Sequence, residues 1–254
     1  EACQGWMNEG FLALDTEFVR TSTFYPQAGL LQVADSQHCY LIDPLSVTEW
    51  QPLAQVFQAV AVTKVFHACA EDLEVCRQLT GVLPSPLADS QLAASMAGLG
   101  GSMGFQRLIA ALLDIDIDKE ETRSNWLARP LSQDQIRYAV ADVYFLRQIY
   151  PMLVAKLVSM DRMSWLEEDC QRTIEEQSQQ EVPKDYYRRV KLAWKLRPQE
   201  QHLLQELVGW RELQARERDV PRSKVVDDNS LWNIARYKPK NRDQLVKAGL
   251  RPEM

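Results

Sequence analysis

Phe11-Leu12-Ala13-Leu14-Asp15-Thr16-Glu17 decides how this chain is read. Four apolar residues in a row, ending in an acid, describe a buried strand that delivers a carboxylate to its edge. Side chains at i and i+2 of a strand share a face, so Asp15 and Glu17 project together while Thr16 turns away. Two carboxylates so close repel each other unless a cation lies between them. Two further stretches carry acids in similar settings. In His67…Glu71-Asp72-Leu73, an apolar run at 62–66 leads into a helix that holds Asp72 one turn from its start. In Tyr138…Asp142, the two residues stand four apart on one helix and therefore stack on one face, with Ile136, Ala139, Val140 and Val143 on the packed side. Four oxygen donors of this kind suit two divalent cations, Mg²⁺ or Mn²⁺ rather than Zn²⁺. A tyrosine beside a carboxylate can orient a water, and such a site cleaves phosphodiesters by in-line attack. Asp-x-Glu or Tyr-x-x-x-Asp alone is commonplace; the combination, in this order and on these elements, is specific.

Outward from the first strand, residues 30–34 and 39–42 read as two more strands, separated by the turn-like Asp35-Ser36-Gln37. Helical spacing covers 50–60, 71–79, 91–97 and 105–113, and Asp89-Ser90-Gln91 reads as an N-cap. Ser132-x-x-Gln135 is a capping box opening the best-marked helix of the chain. The Gln-rich stretch 167–182 reads as a linker or connecting helix, and from Leu196 onward only helices follow. Strands interleaved with helices, then helices alone, predict an α/β domain followed by an all-α domain, divided near 175–195.

The 254 residues are 46% hydrophobic and 25% charged, enough for one sizeable core and a smaller second one. The net charge of −6 hides a division. Residues 1–183 hold 12 Lys+Arg against 25 Asp+Glu, a net of −13, and 184–254 hold 17 against 10, a net of +7. An acidic body with a basic tail fits a catalytic part and a part that meets a polyanion, or simply a solvated helix pair. No apolar run reaches membrane-spanning length, which predicts a soluble protein. Cys3, Cys39, Cys69, Cys76 and Cys170 show no Cys-x-x-Cys spacing, so reduced thiols in the cytoplasm are expected and a structural zinc site is not.

Asp-Thr-Glu-Phe-Val-Arg (15–20), His-Ala-Cys-Ala-Glu-Asp-Leu-Glu (67–74) and Tyr-Ala-Val-Ala-Asp (138–142) resemble the three exonuclease motifs of the DEDD superfamily, tyrosine subclass. Thr23-Phe24-Tyr25-Pro26-Gln27, Leu41-Ile42-Asp43-Pro44-Leu45 and Asn125-Trp126-Leu127-Ala128-Arg129-Pro130-Leu131 narrow the resemblance to the bacterial ribonuclease D family. Trp210-Arg211 and Ala215-Arg216-Glu217-Arg218-Asp219 resemble the start of an HRDC domain. Together these cover nearly the whole chain. The resemblance implies a ribonuclease-H-like exonuclease domain with a mixed sheet at 1–175, a connector at 176–196 and an incomplete HRDC-type helical domain at 197–254. It implies 3′→5′ removal of 5′-mononucleotides from RNA with a free 3′ end, tRNA precursors and small structured RNAs among them, by a cytoplasmic monomer. By position, Asp15, Glu17 and Asp142 would hold one metal, Asp15 would bridge to a second with Asp72 helping through water, and Tyr138 would orient the attacking water. Cys69-Ala70 departs from the Gly-Ser common in the family, and the resemblance leads to the expectation that the usual strand before the first motif is held only in part and that the last residues fall inside the first HRDC domain. The rivals are a DNA exonuclease of the same superfamily and a silent nucleic-acid-binding module.

Around the acids, Thr16, Phe18, Arg20, Tyr25, His67, Trp126 and Arg129 are candidates to touch nucleic acid. Phe18, Phe24 and Tyr25 would stack on bases or sit in a core. Arg20, Arg123 and Arg129 would meet phosphates or form salt bridges. His67 reads as a packing residue or a substrate contact, and Trp126 as a cleft wall or a buried anchor. Asp114-x-Asp116-x-Asp118 lacks the glycine and distal glutamate of a calcium loop and reads as solvated. Lys184, Arg188, Arg189, Lys191 and Lys195 fall at helical spacings, as a basic face for RNA or a solvated helix.

Overall fold

A computed structural model describes residues 1–117, 124–179 and 182–250. Arg123 and Asp118 lie outside the described residues. The chain forms two compact units, Glu1–Val19 with Gln27–Gln179, and Arg20–Pro26 with Gln180–Met254.

The first unit runs α1 (Ala2–Trp6), β1 (Phe11–Val19), β2 (Gln27–Ala34), β3 (Cys39–Ile42), α2 (Gln51–Gln58), β4 (Thr63–Phe66), α3 (Ala70–Thr80), β5 (Leu87–Asp89), α4 (Ser90–Met96), α5 (Phe105–Leu113), α6 (Gln133–Ser159) and α7 (Met163–Ser178). Among the described residues the sheet order is β3-β2-β1-β4-β5. β1 pairs antiparallel with β2 and parallel with β4, which makes the sheet mixed, as expected. β1 is central, and Leu12, Ala13 and Leu14 are all fully buried, as a strand covered on both faces requires. The strand continues past its apolar run because β2 pairs with it as far as Val19. The Ser132 capping box forms: the Ser132 hydroxyl accepts from the Gln135 amide and the Gln135 side chain accepts from the Ser132 amide. The packed stripe of α6 then joins Val143, Leu146, Ile149 and Leu153 to the core beneath the sheet.

β5 is a strand that periodicity does not mark. It is three residues long, and Asp89 at its end is also the N-cap of α4, accepting from the Gln91 and Leu92 amides. The connector expected at 176–196 is divided between the units: α7 ends at Ser178, while two 3₁₀ turns, Pro183–Arg189 and Ala193–Lys195, belong to the second.

The second unit adds α8 (Pro198–Glu217), α9 (Arg222–Val225), α10 (Asp228–Tyr237) and α11 (Arg242–Lys247). Its core gathers Val190, Leu196, Leu204, Val208, Ala215, Val225 and Leu231, together with Phe24 from the segment that follows β1. Asp219 Oδ1 accepts from the amides of Phe24 and Tyr25 at 2.9 and 3.0 Å, which fixes that segment in the helical unit. Inside, Glu212 is fully buried and accepts from Arg222 Nε at 2.7 and 2.8 Å, with Arg211 Nη2 paired to it at 3.5 Å. No helix among the described residues is long and apolar enough to cross a membrane.

Candidate active site

β1 delivers Asp15 and Glu17 to one place, and α6 brings Asp142 to meet them. Their nearest carboxylate oxygens all lie within 4.8 Å of one another. Burial and the Asp142 and Asp72 carboxylates push Glu17 up to about 9. Asp15 is raised well above the usual carboxylate range by burial and by all three of its acidic neighbours, and Asp142 goes up to about 7 through burial and Asp72. No cation among the described residues figures in any of these shifts. Packed acids without a counter-ion stay protonated or find a metal, so this oxygen-only donor set fits a hard divalent cation.

Asp72 stands apart from that trio. It lies in the first turn of α3, where burial raises it to about 7 while Thr16 holds it back. The Thr16 hydroxyl donates to its Oδ1 at 2.5 Å and the Thr16 amide at 3.2 Å. Thr16 is 5% exposed, so its side chain serves Asp72 rather than facing outward as a nucleic-acid contact. The loop before α3 is held by Asp89, which accepts from the amides of Ala68 (3.1 Å) and Cys69 (3.0 Å). That bond pair fixes Ala68 at φ +58°, a left-handed conformation that non-glycine residues rarely adopt.

Tyr138 donates its hydroxyl hydrogen to Asp142, one helical turn on. Its ring lies against Trp126, with centroids 6.1 Å apart. Trp126 is the buried anchor, 1% exposed, clustered with Leu30 and Ala139. Its backbone crosses β2 at Gly29, where an added Cβ would stand 2.6 Å from the Trp126 carbonyl oxygen. That crossing coincides with an irregularity in the β1–β2 register just after Glu17. Arg129 fastens the crossing: its guanidinium donates to both Asp43 oxygens, to the Trp126 carbonyl at 2.9 Å and to the Gly29 carbonyl at 2.7 Å. Arg129 is thus committed to the salt bridge rather than left for a phosphate.

A cavity of about 120 Å³ opens beside the acids, lined by Asp15, His67, Phe105, Tyr138, Asp142 and Leu146. His67 reaches it with Nδ1 2.9 Å from the Ser90 hydroxyl and its ring 5.2 Å from Phe105. Phe105 and Leu146 escape a motif-based reading, because an apolar residue in a helix gives no signal that it faces a cleft rather than a core. Phe18 is half-buried at the end of β1. Arg20 and Tyr25 belong to the other unit; Arg20 Nε donates to the Phe24 carbonyl at 2.8 Å, and Tyr25 is 39% exposed. All five cysteines are free thiols.

Comparison with known proteins places this geometry in context. Residues 1–158 match the family described as 3′-5′ exonuclease, and residues 200–253 match the HRDC domain. The chain is 49% identical over 246 residues to ribonuclease D of Pseudomonas paraeruginosa, covering 97% of this chain and 65% of that protein. It is 40% identical over 242 residues to ribonuclease D of Escherichia coli, covering 94% of this chain and 64% of the relative. The chain therefore spans a little under two thirds of the length of these two relatives. The crystal structure of E. coli RNase D, described as an exoribonuclease involved in structured RNA processing, superposes with a TM-score of 0.93 at 38% identity, over 99% of this chain and 67% of that one. The catalytic core of RRP6 from Trypanosoma brucei shares the fold, with a TM-score of 0.71 at 21% identity.

Proposed function

The chain belongs to the ribonuclease D family of 3′–5′ exonucleases, and on that premise we propose that it removes 5′-mononucleotides from RNA 3′ ends in a reaction dependent on two divalent cations, Mg²⁺ or Mn²⁺. The observation that carries the reading is the meeting of Asp15, Glu17 and Asp142 oxygens within 4.8 Å, beside the Tyr138 hydroxyl. The family is metal-dependent, and an uncompensated carboxylate trio is what such dependence requires of the chain.

Asp15, Glu17 and Asp142 would hold one cation, and Asp15 and Asp72 would help to hold a second. Bound cations supply positive charge at the scissile phosphate and lower the pKa of a water. Everything else falls to the chain's own side chains. Thr16 keeps Asp72 aimed and favours its ionised form by donating two hydrogen bonds to one oxygen. Tyr138 holds a water at the phosphorus through its phenol oxygen, its proton engaged by Asp142. The His67, Phe105 and Leu146 walls bound the space beside the acids. Contacts to phosphate carry no sequence information, so base identity should matter little. Precursors of tRNA and other small structured RNAs are the proposed substrates; the description of the E. coli relative supports structured RNA as the class.

The test is a time course on 5′-labelled single-stranded RNA with Mg²⁺, with Mn²⁺ and with EDTA, beside a matched DNA strand and the Asp15→Asn variant. A ladder shortening from the 3′ end, lost with EDTA and in the variant, is the expected result. Intact RNA under every condition would overturn the reading, and faster loss of the DNA strand would move it to a DNA exonuclease.

A further inference from the structure

The basic stretch 184–197 carries seven charged residues, of which Asp185 alone is acidic. It does not form the α-helix its lysine spacing suggests. It folds as two 3₁₀ turns, and a 3₁₀ helix repeats every three residues. Burial follows that period: Val190, Ala193 and Leu196 are 3%, 6% and 4% exposed, and all three join the core of the helical unit. The positions between them, Lys191, Leu192, Trp194 and Lys195, point outward. Trp194 is 75% exposed, more than any other tryptophan among the described residues.

This exposure is built rather than accidental. The turn is pinned on both sides of Trp194. Trp232 Nε1 donates to the Leu192 carbonyl at 3.1 Å, which holds Leu192 at φ +66°. Gln201 Nε2 donates to the Ala193 and Leu196 carbonyls at 3.4 and 3.0 Å. A rigid backbone thus presents a large apolar ring to water, and the Lys195 ammonium lies 5.3 Å from the centre of that ring. An exposed indole between two lysines, on a fixed turn, matches what a flexible single strand needs: a π-face for a base and cations for the phosphates on either side.

We propose that Trp194, with Lys191 and Lys195, is a stacking platform for one base of single-stranded RNA, an RNA contact contributed by the turn that precedes α8. The strand's identity as RNA rests on the exoribonuclease reading; the platform itself rests on the turn. Base stacking tolerates any sequence, so the platform adds affinity without selecting bases.

The test measures fluorescence anisotropy of a 5′-labelled twelve-nucleotide oligo(A) RNA on the 254-residue chain carrying Asp15→Asn, at several salt concentrations. Trp194→Ala should weaken binding roughly 5- to 100-fold at every salt concentration, leaving the salt dependence unchanged, because stacking releases no counter-ions. Trp194→Phe should restore most of the loss, which guards against misfolding. Lys191→Ala with Lys195→Ala should flatten the slope of log affinity against log salt by about 1.4. Equal affinity of Trp194→Ala and its parent would overturn the proposal, as would an unchanged slope in the lysine double variant. So would a change in sedimentation of Trp194→Ala without a change in RNA affinity, which would assign the ring to contact between copies. Cleavage by the unaltered chain is a separate readout, so the exonuclease reading and the platform can fail independently.

Discussion

Tyr138 holds two partners at once, its hydroxyl on Asp142 and its ring beside Trp126. Removing the oxygen alone therefore separates its chemical role from its packing role. Tyr138→Phe keeps the ring, the Trp126 contact and all three converging carboxylates. If the phenol oxygen orients the attacking water, turnover should fall about a hundredfold or more, the scale of a positioned proton-handling group. Binding of Mn²⁺ measured by calorimetry should persist in the same protein. A turnover number within twofold of the parent would remove Tyr138 from the reaction and leave it as a spacer between Trp126 and Asp142. Much of this neighbourhood is legible residue by residue. Asp15 and Glu17 converge because a strand alternates, and Tyr138 meets Asp142 because a helix repeats at four. Asp72 is different: its place beside the other acids depends on Thr16, 56 residues away, and no local pattern announces that bond.

Between elements, a buried lysine ties three segments together. Lys64 on β4 is fully buried, and Nζ donates to the carbonyls of Ala59, Val62 and Ser85 at 2.9, 2.6 and 2.5 Å. Those carbonyls close the end of α2, the approach to β4 and the approach to β5. Burial lowers the ammonium to about 8, yet it makes its full set of three bonds. Lys64→Met fits the apolar stem but takes the ammonium donor from the Val62 and Ser85 carbonyls, while the Ala59 carbonyl keeps the Val62 amide at 3.1 Å. A buried acceptor left unsatisfied costs about 1–3 kcal/mol, so a loss of roughly 3 kcal/mol is expected, several degrees in Tm by thermal unfolding in the parent's buffer. A Tm within one degree of the parent would mean that water replaces the ammonium there. This is also the scale at which sequence reading thins out. The capping box on α6 reads directly because both its partners lie within one turn. β5 does not, because three residues carry no period, and its strand state comes from pairing with β4 at Lys64, Val65 and Phe66. The 3₁₀ turns at 183–195 are legible in hindsight through the apolar period of three at Val190, Ala193 and Leu196, a signal masked by lysines at helical spacing. For Arg129 a phosphate contact and a salt bridge stay equally open in the sequence, because its partner Asp43 lies 86 residues away.

At the scale of the whole molecule, the chain crosses between its units early. Arg20–Pro26 follows the strand that carries Asp15 and Glu17 yet belongs to the helical unit, held by Asp219 almost two hundred residues later, an arrangement no local pattern contains. The division of charge is legible: the acidic part holds the carboxylate trio and the basic part the Trp194 turn. Concentrating acids in one buried site has a consequence for global stability in the absence of metal. Asp72 and Asp142 stand at about 7 and Glu17 at about 9 in the folded protein, all above their ordinary values. The folded state therefore holds protons that the unfolded chain has released. A group with a raised folded pKa contributes stability that is full below its unfolded pKa and is lost as pH rises through the folded one. Metal-free protein should accordingly lose Tm steadily between about pH 4 and pH 9, the window those shifts define. Mg²⁺ or Mn²⁺ binds only the ionised carboxylates, so added metal should raise Tm more at pH 8.5 than at pH 5.5, by roughly 5–10 °C at a hundredfold excess over Kd. Asp142→Asn removes one of the repelling charges, so the metal-free variant should be more stable than the parent at pH 8.5 and its pH profile flatter, while its cleavage is abolished. Differential scanning fluorimetry in EDTA across this range, for parent and variant, checks the sign directly. Parallel profiles for the two proteins would show that the acids are not in electrostatic conflict, and the case for a cation among them would lose its physical basis.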